Sequence, residues 1–222
     1  MVDPKQYFQD AESWDGGYAG KGGKDFLTKI ANKMFRKNLM NMRAEAVVKL
    51  AMPVKDKIIL DAGCGTGRIA ELFYDLQPKS IVGFDYAENM ITEANEIFKT
   101  ANKLDKVRFE VGDITKYKIN ADIIIIVGVV DYFEKFTDAL TNVFENGHET
   151  IIVSFMPKTT KNINCLIFPT LAVLWGKIRG LKLRKISNKK LISFMEKNGY
   201  KETKHLEDSY GKVIRFDKSE AT

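Results

Sequence analysis

The sequence has few of the features that would point to a secreted, metal-binding or membrane-spanning protein. It contains only two cysteines, Cys64 and Cys165, which lie far apart in the chain, so neither a disulfide framework nor a zinc-binding spacing is present. The first residues, MVDPKQYFQD, lack the apolar core of a signal peptide. The longest apolar stretches, residues 121–130 and 165–175, are too short to span a bilayer. We therefore expect a cytoplasmic protein without a bound metal.

The charge of the chain is unevenly distributed. The 222 residues are 45% hydrophobic and carry a net charge of +6, a composition typical of one folded domain with a proper core. Residues 157–204 hold twelve Lys or Arg against two Glu, a net charge of +10, which leaves −4 for the rest. Such a basic region is either a docking surface for an anionic partner or an ordinary solvated face.

Apolar segments that alternate with amphipathic ones predict an α/β fold. The strands are predicted at residues 57–61, 80–84, 107–111, 122–127 and 150–155, with helices at 68–76, 86–99 and 133–144. Two of the strands, with the sequences IIIIV and IIVSF, are apolar on both faces, as buried parallel strands must be. A helix capped by Ser187 and two final strands, at 200–206 and 212–216, complete a doubly wound, mostly parallel, seven-stranded sheet.

The first strand leads into a glycine-rich turn, Asp61-Ala-Gly63-Cys-Gly65-Thr-Gly67-Arg68. Glycines permit positive φ and close backbone approach, and the helix that follows presents its N-terminal amides to a ligand. A P-loop would require Lys and Ser or Thr where Arg68 and Ile69 stand, and a dinucleotide fingerprint would require Gly or Ala at Arg68. The remaining nucleotide-like ligand is S-adenosylmethionine, which has no pyrophosphate.

Residues 57–155 resemble the class I S-adenosylmethionine-dependent methyltransferases. The segments ILDAGCGTGRIAEL, IVGFDYAENMITEA, VRFEVGDI and ADIIIIVGVVDYF are similar to the four successive motifs of that family. The resemblance implies a Rossmann-like fold, S-adenosylmethionine as cofactor and methyltransferase activity. It also implies that residues 1–222 form a single methyltransferase domain with four parts. These are an N-terminal helical cap with a lid loop (1–55), a cofactor-binding core (56–156), an insertion over the acceptor site (157–186) and a final helix and strand pair (187–222).

The resemblance also implies which residues bind the cofactor. Asp85 corresponds to the ribose-binding acid, Asp113 to the acceptor of the adenine amino group, and Asp61 to the acid that orients the methionine ammonium. A helix-dipole role for Asp85 and a turn role for Asp113 are the alternatives. Cys64 is interpreted as a small buried side chain in the turn, not as a nucleophile. The remaining cofactor-binding candidates are Gly63, Cys64, Gly65, Gly67, Tyr86, Met90, Ile114, Val127 and Gly128, with Met90 equally explained as a core residue.

The acceptor is expected next to the segment after the fourth strand. Asp131 is a candidate base for an oxygen or nitrogen acceptor, and the N-cap of the following helix is its alternative role. Tyr132 is a second catalytic candidate, although its position favours a role in lining the pocket. Tyr18, Asp131 and Tyr132 are the candidate acceptor-binding residues. The glycine-rich loop at residues 14–24 is interpreted as a lid or as a disordered segment.

Motifs of nucleic-acid methyltransferases are missing, so a nucleic-acid acceptor is not expected. No Asp/Asn-Pro-Pro-aromatic run follows the fourth strand, and neither cysteine follows a proline. The insertion joins an apolar stretch to a basic one and either covers the acceptor pocket, rests on an anionic membrane through residues 165–185, or packs on the sheet with a basic outer face. Its first residues, Phe155-Met-Pro157, are similar to magnesium-protoporphyrin O-methyltransferases.

These features together predict methyl transfer to an oxygen or nitrogen of a small-molecule or lipid-like acceptor. Two alternatives stay open: an RNA or protein methyltransferase that docks through residues 157–204, and a non-catalytic subunit that binds S-adenosylmethionine.

Overall fold

The computed structural model describes residues 37–178, 182–207 and 211–219. Residues 1–36 of the predicted N-terminal cap, which include the loop at 14–24 with Tyr18, lie outside these ranges. Within them, the α-helices are α1 (Lys37–Ala51), α2 (Arg68–Tyr74), α3 (Glu88–Thr100), α4 (Phe136–Phe144), α5 (Ile163–Ile178) and α6 (Asn188–Lys197). The strands are β1 (Ile58–Ala62), β2 (Ser80–Asp85), β3 (Val107–Val111), β4 (Ile123–Val127), β5 (Thr150–Phe155), β6 (Tyr200–Glu207) and β7 (Lys212–Lys218).

The strands form one seven-stranded sheet in the order β3-β2-β1-β4-β5-β7-β6. The first five strands in sequence are mutually parallel, whereas β7 runs antiparallel to both β5 and β6. This arrangement confirms the predicted doubly wound, mostly parallel fold. In a sheet of this kind, ligands bind at the carboxyl ends of the strands where the strand order reverses, which here lies between β1 and β4.

Both faces of the sheet are buried, which explains the continuous apolar strands. Successive residues of β4 point to opposite faces, so Ile123 and Ile125 join one core cluster with α1, α2 and α3. Ile124 and Ile126 join the other cluster with α4 and α6. A strand that lies between two helical layers must be apolar at every position, and the IIIIV sequence meets this requirement.

Arg215 of β7 binds the end of helix α1 to the sheet. The Arg215 Nη1 donates to the carbonyl oxygens of Leu50 (2.8 Å) and Met52 (3.3 Å), which the end of α1 leaves without helical partners. The Arg215 Nε and Nη2 bind the Asp217 carboxylate on the same strand. Helix α1 is thereby held as part of the core, while the division of the chain into four functional segments stays a prediction.

The segment between β5 and α6 leaves the sheet and returns to it at a short parallel bridge. The Lys158 amide donates to the Ile186 carbonyl (2.8 Å), and the Ile186 amide donates to the Met156 carbonyl (2.7 Å). Between these two ends lies the predicted insertion, with helix α5 at its centre. In the part of the chain that the structure describes, no helix is both long and apolar enough to cross a membrane.

Candidate functional site

The carboxylates of three neighbouring strands meet at one edge of the sheet. Asp61 lies near the end of β1, Asp85 ends β2, and Asp131 lies four residues beyond β4. Because the three strands are adjacent and parallel, these side chains are brought to the carboxyl edge that binds ligands in such folds. The structure thus places the principal predicted site residues in one region.

The glycine turn after β1 is a compact, left-handed structure. The φ angles of Gly63, Gly65 and Gly67 are +76°, +53° and +82°, a region that side chains rarely adopt. The Gly63 amide donates to the Phe84 carbonyl at 2.8 Å. A Cβ atom on Gly63 would lie 2.3 Å from the Cγ2 of Val129, so the turn packs closely against the segment after β4.

Asp85 links the end of β2 to the glycine turn. Its Oδ2 accepts a hydrogen bond from the Gly65 amide and its Oδ1 from the Ala87 amide, both at 2.9 Å. Burial raises the pKa of Asp85, and the hydrogen bonds from Ala87 and Gly65 oppose this increase. Since each carboxylate oxygen has two lone pairs, both oxygens can also accept a hydroxyl from a bound ribose. The contact with Ala87, the N-cap of α3, shows that Asp85 also holds the start of that helix.

Asp61 is a buried carboxylate that lacks a cationic partner within the described residues. Asp61 is only 1% exposed, and its Oδ2 has no hydrogen-bond partner among the described residues. Burial, and secondly the charge of Asp85, raises the pKa of Asp61 to about 7. A ligand ammonium placed against Oδ2 would satisfy this atom and favour the ionised form. The Asp61 carboxylate therefore fits the ammonium at the amino-acid end of S-adenosylmethionine.

The predicted adenine-side residues divide between turn and core. The Asp113 Oδ1 accepts hydrogen bonds from the amide (2.9 Å) and the hydroxyl (2.7 Å) of Thr115, so the turn role is present. Ile114 and Met90 are buried in the core, while Tyr86 is half-buried. Their contacts with a cofactor stay predictions, as do those of Val127 and Gly128 at the end of β4.

Cys64 has the environment of a structural thiol. The residue is buried, and its Sγ donates a weak hydrogen bond to the Gly65 carbonyl at 3.5 Å. Burial is the main cause that raises the pKa of the Cys64 thiol, which keeps the sulfur protonated and unreactive. These observations agree with the interpretation of Cys64 as a small packed side chain in the turn.

Asp131 holds the insertion against the site instead of capping a helix. It lies in a single 3-10 turn, Val130–Tyr132, whereas α4 begins only at Phe136 with Lys135 as its N-cap. The N-cap alternative is therefore wrong. The Asp131 Oδ1 accepts a hydrogen bond from the Met156 amide (3.0 Å), and its carbonyl accepts one from the Arg184 amide (2.8 Å). Asp131 thus binds both ends of the insertion.

The environment of Asp131 keeps its titration close to neutral pH. The residue is 3% exposed, and burial raises its pKa to about 7, opposed by the Met156 hydrogen bond and by the positive charge of Arg43. A carboxyl group that titrates near neutral pH is suited to general acid–base catalysis. Half-buried Tyr132 follows it directly in the 3-10 turn.

Arg43 of α1 is a site neighbour that the sequence interpretation missed. It is 3% exposed, and its Nη1 lies 4.0 Å from where a Cβ on Gly128 would stand. Arg43 lies one helical turn before Val47 on the buried face of α1, so a charged residue on an apolar face was the available signal. Asp131, whose pKa the charge of Arg43 lowers, is 88 positions away and could not be identified from the helix alone.

Comparisons with known proteins agree with this geometry. A family model described as "Methyltransferase domain" matches residues 53–165. A tRNA U34 carboxymethyltransferase from Helicobacter pylori (strain P12) is 30% identical over 149 residues, 59% of this chain and 57% of that protein. A malonyl-[acyl-carrier protein] O-methyltransferase from Bacillus cereus is 32% identical over 107 residues, 41% of this chain and 38% of that protein. The chain thus spans at most 57% of the length of the curated relatives described here.

Among solved structures, a magnesium protoporphyrin IX methyltransferase from Synechocystis PCC 6803 with bound SAH has a similar fold. Its TM-score is 0.72 at 18% identity, over 97% of this chain and 98% of that one. At this identity the likeness supports the fold alone. The tRNA enzyme among the relatives does not support the expectation that a nucleic-acid acceptor is unlikely.

Proposed function

Because this chain belongs to the class I S-adenosylmethionine-dependent methyltransferases, we propose that it methylates an oxygen or nitrogen atom of a small-molecule or lipid-like acceptor. The observation that supports the cofactor part of this proposal is the buried Asp61 carboxylate, which has no described partner at Oδ2 and lies beside the glycine turn. That group is suited to the ammonium of an amino acid and unsuited to a phosphate, since two anions would repel each other.

The chain's own residues would hold the cofactor at two ends. Asp61 would bind the ammonium of the amino-acid end, and the backbone of Gly63 and Gly65 permits close approach of that end. Asp85 would accept the ribose hydroxyls while it keeps its hydrogen bonds to the turn. The sulfonium of the bound cofactor supplies an electrophilic methyl group, so the protein needs chiefly to align the acceptor and exclude water.

On the acceptor side, we assign Asp131 the role of the proton-accepting group. Its ionised form prevails above pH 7, where it could remove a proton from an acceptor hydroxyl or amine. Tyr132 would line the acceptor pocket, and Tyr18, which lies outside the described residues, stays a predicted lining residue. The hydrogen bonds from Met156 and Arg184 keep the insertion beside Asp131, which supports the prediction that it covers the acceptor site.

An RNA acceptor is the second candidate because the relatives include enzymes named for tRNA. The +10 charge of residues 157–204 would suit phosphate contacts. Against it, the same region carries exposed aliphatic side chains, which make no favourable contact with phosphates. We therefore rank the small-molecule or lipid-like acceptor first.

Methyltransferase family membership favours an enzyme over a non-catalytic binding subunit.

Calorimetry with S-adenosylmethionine tests the cofactor part of the proposal. We expect the wild type to bind, and Asp85→Ala to lose about 100-fold in affinity because two charge-assisted hydrogen bonds to the ribose disappear. Asp138→Ala removes an exposed carboxylate from α4 and should leave the affinity unchanged. Failure of the wild type to bind S-adenosylmethionine would overturn the cofactor assignment.

Transfer of a labelled methyl group to a panel of carboxylic acids, phenols, amines and RNA tests the acceptor part. Asp131→Asn keeps an oxygen for the Met156 amide but cannot accept the acceptor's proton, so turnover should fall by roughly 100-fold or more. Its affinity for S-adenosylmethionine should match that of the wild type. Unchanged turnover in Asp131→Asn would show that this residue accepts no proton.

A further inference from the structure

Helix α5 carries a stripe of aliphatic side chains on its solvent face. Five of them, at positions i, i+3, i+4, i+8 and i+11 along one side of the helix, are between 39 and 63% exposed: Ile163, Leu166, Ile167, Leu171 and Leu174. From the first to the last, this stripe extends about 17 Å at the usual rise of 1.5 Å per residue. We name these five residues the α5 stripe.

The opposite side of α5 is apolar as well. Cys165 and Pro169 are buried, and Phe168 and Ala172 are half-buried. The helix therefore packs on the protein through one apolar face and presents a second one to solvent. A helix that is hydrophobic all round is normally buried, and contiguous exposed aliphatic surface usually marks an interaction site.

The segment that contains α5 is strongly and uniformly cationic. Residues 157–185 include no Asp or Glu and seven Lys or Arg: Lys158, Lys161, Lys177, Arg179, Lys182, Arg184 and Lys185. Among the described ones, Lys158, Lys161, Lys177 and Lys182 are exposed. Cations thus stand both before and after the α5 stripe.

The returning basic segment lies beside the stripe. The Lys185 Nζ donates to the hydroxyl of Thr170 at 2.6 Å, and Thr170 is itself exposed between Ile167 and Leu171. Two acids of other elements contact this segment: Glu134 pairs with Arg184 at 3.5 Å, and Glu207 accepts a hydrogen bond from Thr160. Neither cancels the charge of the four exposed lysines.

We propose that α5 lies flat on an anionic lipid bilayer, with the α5 stripe inserted among the acyl chains and the flanking cations on the phosphates. Exposed aliphatic side chains between basic flanks suit the boundary of acyl chains and anionic headgroups, and no described helix is long and apolar enough to span the bilayer. Two copies of the chain would oppose like charges across the stripe, and an RNA would leave the stripe unsatisfied. Charge complementarity therefore favours an anionic lipid over a second copy of the chain, and the aliphatic stripe favours lipid over RNA.

This surface is continuous with the candidate acceptor site. The Arg184 amide, in the basic segment beside the stripe, donates to the Asp131 carbonyl at 2.8 Å. Docking of α5 would accordingly bring the acceptor side of the enzyme to the membrane surface. The docking itself depends only on α5 and its flanks and is independent of the proposed function.

Co-sedimentation with vesicles tests the proposal. The wild type should bind phosphatidylcholine vesicles that contain 30% phosphatidylglycerol at least tenfold more tightly than pure phosphatidylcholine, since each lysine near an anionic surface adds about 1 kcal/mol. Leu171→Gln with Leu174→Gln should weaken that binding about tenfold. Leu72→Gln with Leu104→Gln, two exposed leucines on other elements, should not.

The charge requirement is tested by a second matched pair. Lys161→Gln with Lys177→Gln should reduce binding to the anionic vesicles, whereas Lys116→Gln with Lys118→Gln, outside the basic segment, should leave it intact. Equal binding of the stripe variant and the wild type would overturn the proposal. So would loss of a dimer, measured by sedimentation equilibrium, in the stripe variant alone, because the stripe would then join two copies of the chain.

A label on the helix tests the same claim without relying on the double variants. An environment-sensitive fluorophore on Leu171→Cys should shift to shorter wavelength when anionic vesicles are added, and the same label on Leu104→Cys should not. An unshifted spectrum at position 171, with the protein in the vesicle pellet, would show that another surface binds the lipid and would overturn the assignment to α5.

Discussion

Two buried carboxylates, Asp61 and Asp131, and the half-buried carboxylate of Asp85 lie at the carboxyl edge of the sheet and differ in their surroundings. Asp85 accepts hydrogen bonds from two backbone amides. Asp131 accepts one from a backbone amide and is affected by the charge of Arg43. The Oδ2 of Asp61 has no hydrogen-bond partner among the described residues. Desolvation raises the pKa of all three, but only Asp61 and Asp131 are raised to about 7. Residues of one type can therefore bind a cation, orient a ribose and accept a proton because their hydrogen-bond partners differ.

The raised pKa of Asp61 predicts that cofactor affinity depends on pH. S-adenosylmethionine requires the ionised carboxylate, so below the folded-state pKa of about 7 each unit of acidification should weaken binding by up to about tenfold. Calorimetry between pH 5.5 and 7 measures this slope. Asp61→Asn should bind weakly at every pH and flatten the slope, whereas Asp138→Asn should retain it. A flat profile in the wild type would contradict the role of Asp61.

The same residue gives a stability effect of opposite direction in the cofactor-free protein. The unfolded-state pKa is about 3.9, below the folded value of about 7, so the folded state binds more protons between these two pH values. The contribution of Asp61 to the free energy of unfolding accordingly falls as pH rises through this window. Asp61→Asn should therefore raise the melting temperature at pH 8 more than at pH 5.

At the scale of elements, the turn between β1 and α2 depends on close contact with the segment after β4. Both Gly63 and Gly147 have positive φ, but a Cβ on Gly63 would lie 2.3 Å from Val129, whereas no atom lies within 4 Å of one on Gly147. The two glycines therefore separate backbone strain from steric contact.

We expect Gly147→Ala to cost about 1 kcal/mol of unfolding free energy through backbone strain alone. Gly63→Ala should cost about 1–3 kcal/mol more, because Val129 must move, and should also weaken S-adenosylmethionine binding. Urea denaturation and calorimetry provide the two readouts. Val129→Ala in the Gly63→Ala background should recover part of the stability; if the two glycine variants are equally stable, the contact with Val129 does not matter.

The bounds of individual helices and strands show how much of the fold the sequence could predict. The bounds of β3 and β5 agree with prediction, because buried parallel strands have continuous apolar runs between polar turns. The start of α4 was placed three residues too early, since a 3-10 turn precedes it. That turn places Asp131 against Met156, a contact across 25 positions that no local capping rule describes.

At the scale of the whole molecule, features contained in one stretch of sequence were predicted, whereas features that depend on contacts between distant segments were not. The glycine turn and the acids of β1 and β2 were predicted because a single stretch of chain contains the glycines and the strand ends. The roles of Arg43 and of the insertion ends could not be predicted, because they depend on how α1 and residues 157–186 fold back onto β4 and β5. The proposed acceptor site combines these separate segments, so no single stretch of sequence carries its pattern.

The basic region, considered over the whole chain, gives a last prediction about RNA. If the acceptor is a small or lipid-like molecule, a tRNA should bind only through the charge of residues 157–204. Its affinity should then fall roughly 100-fold between 50 and 200 mM salt, as expected for a few phosphate contacts, and should equal that of an unrelated folded RNA of the same length. Filter binding over a salt series measures both quantities.

The matched variants identify which charges are responsible. Lys189→Gln with Lys190→Gln, both exposed on α6, should reduce the salt slope, whereas Lys116→Gln with Lys118→Gln, outside the basic region, should leave it unchanged. Non-specific binding has no reason to prefer one RNA, because phosphates carry no sequence information. A tRNA preference that persists at 200 mM salt, together with label transfer to that tRNA, would show that the basic region recognises the acceptor and that the acceptor is RNA.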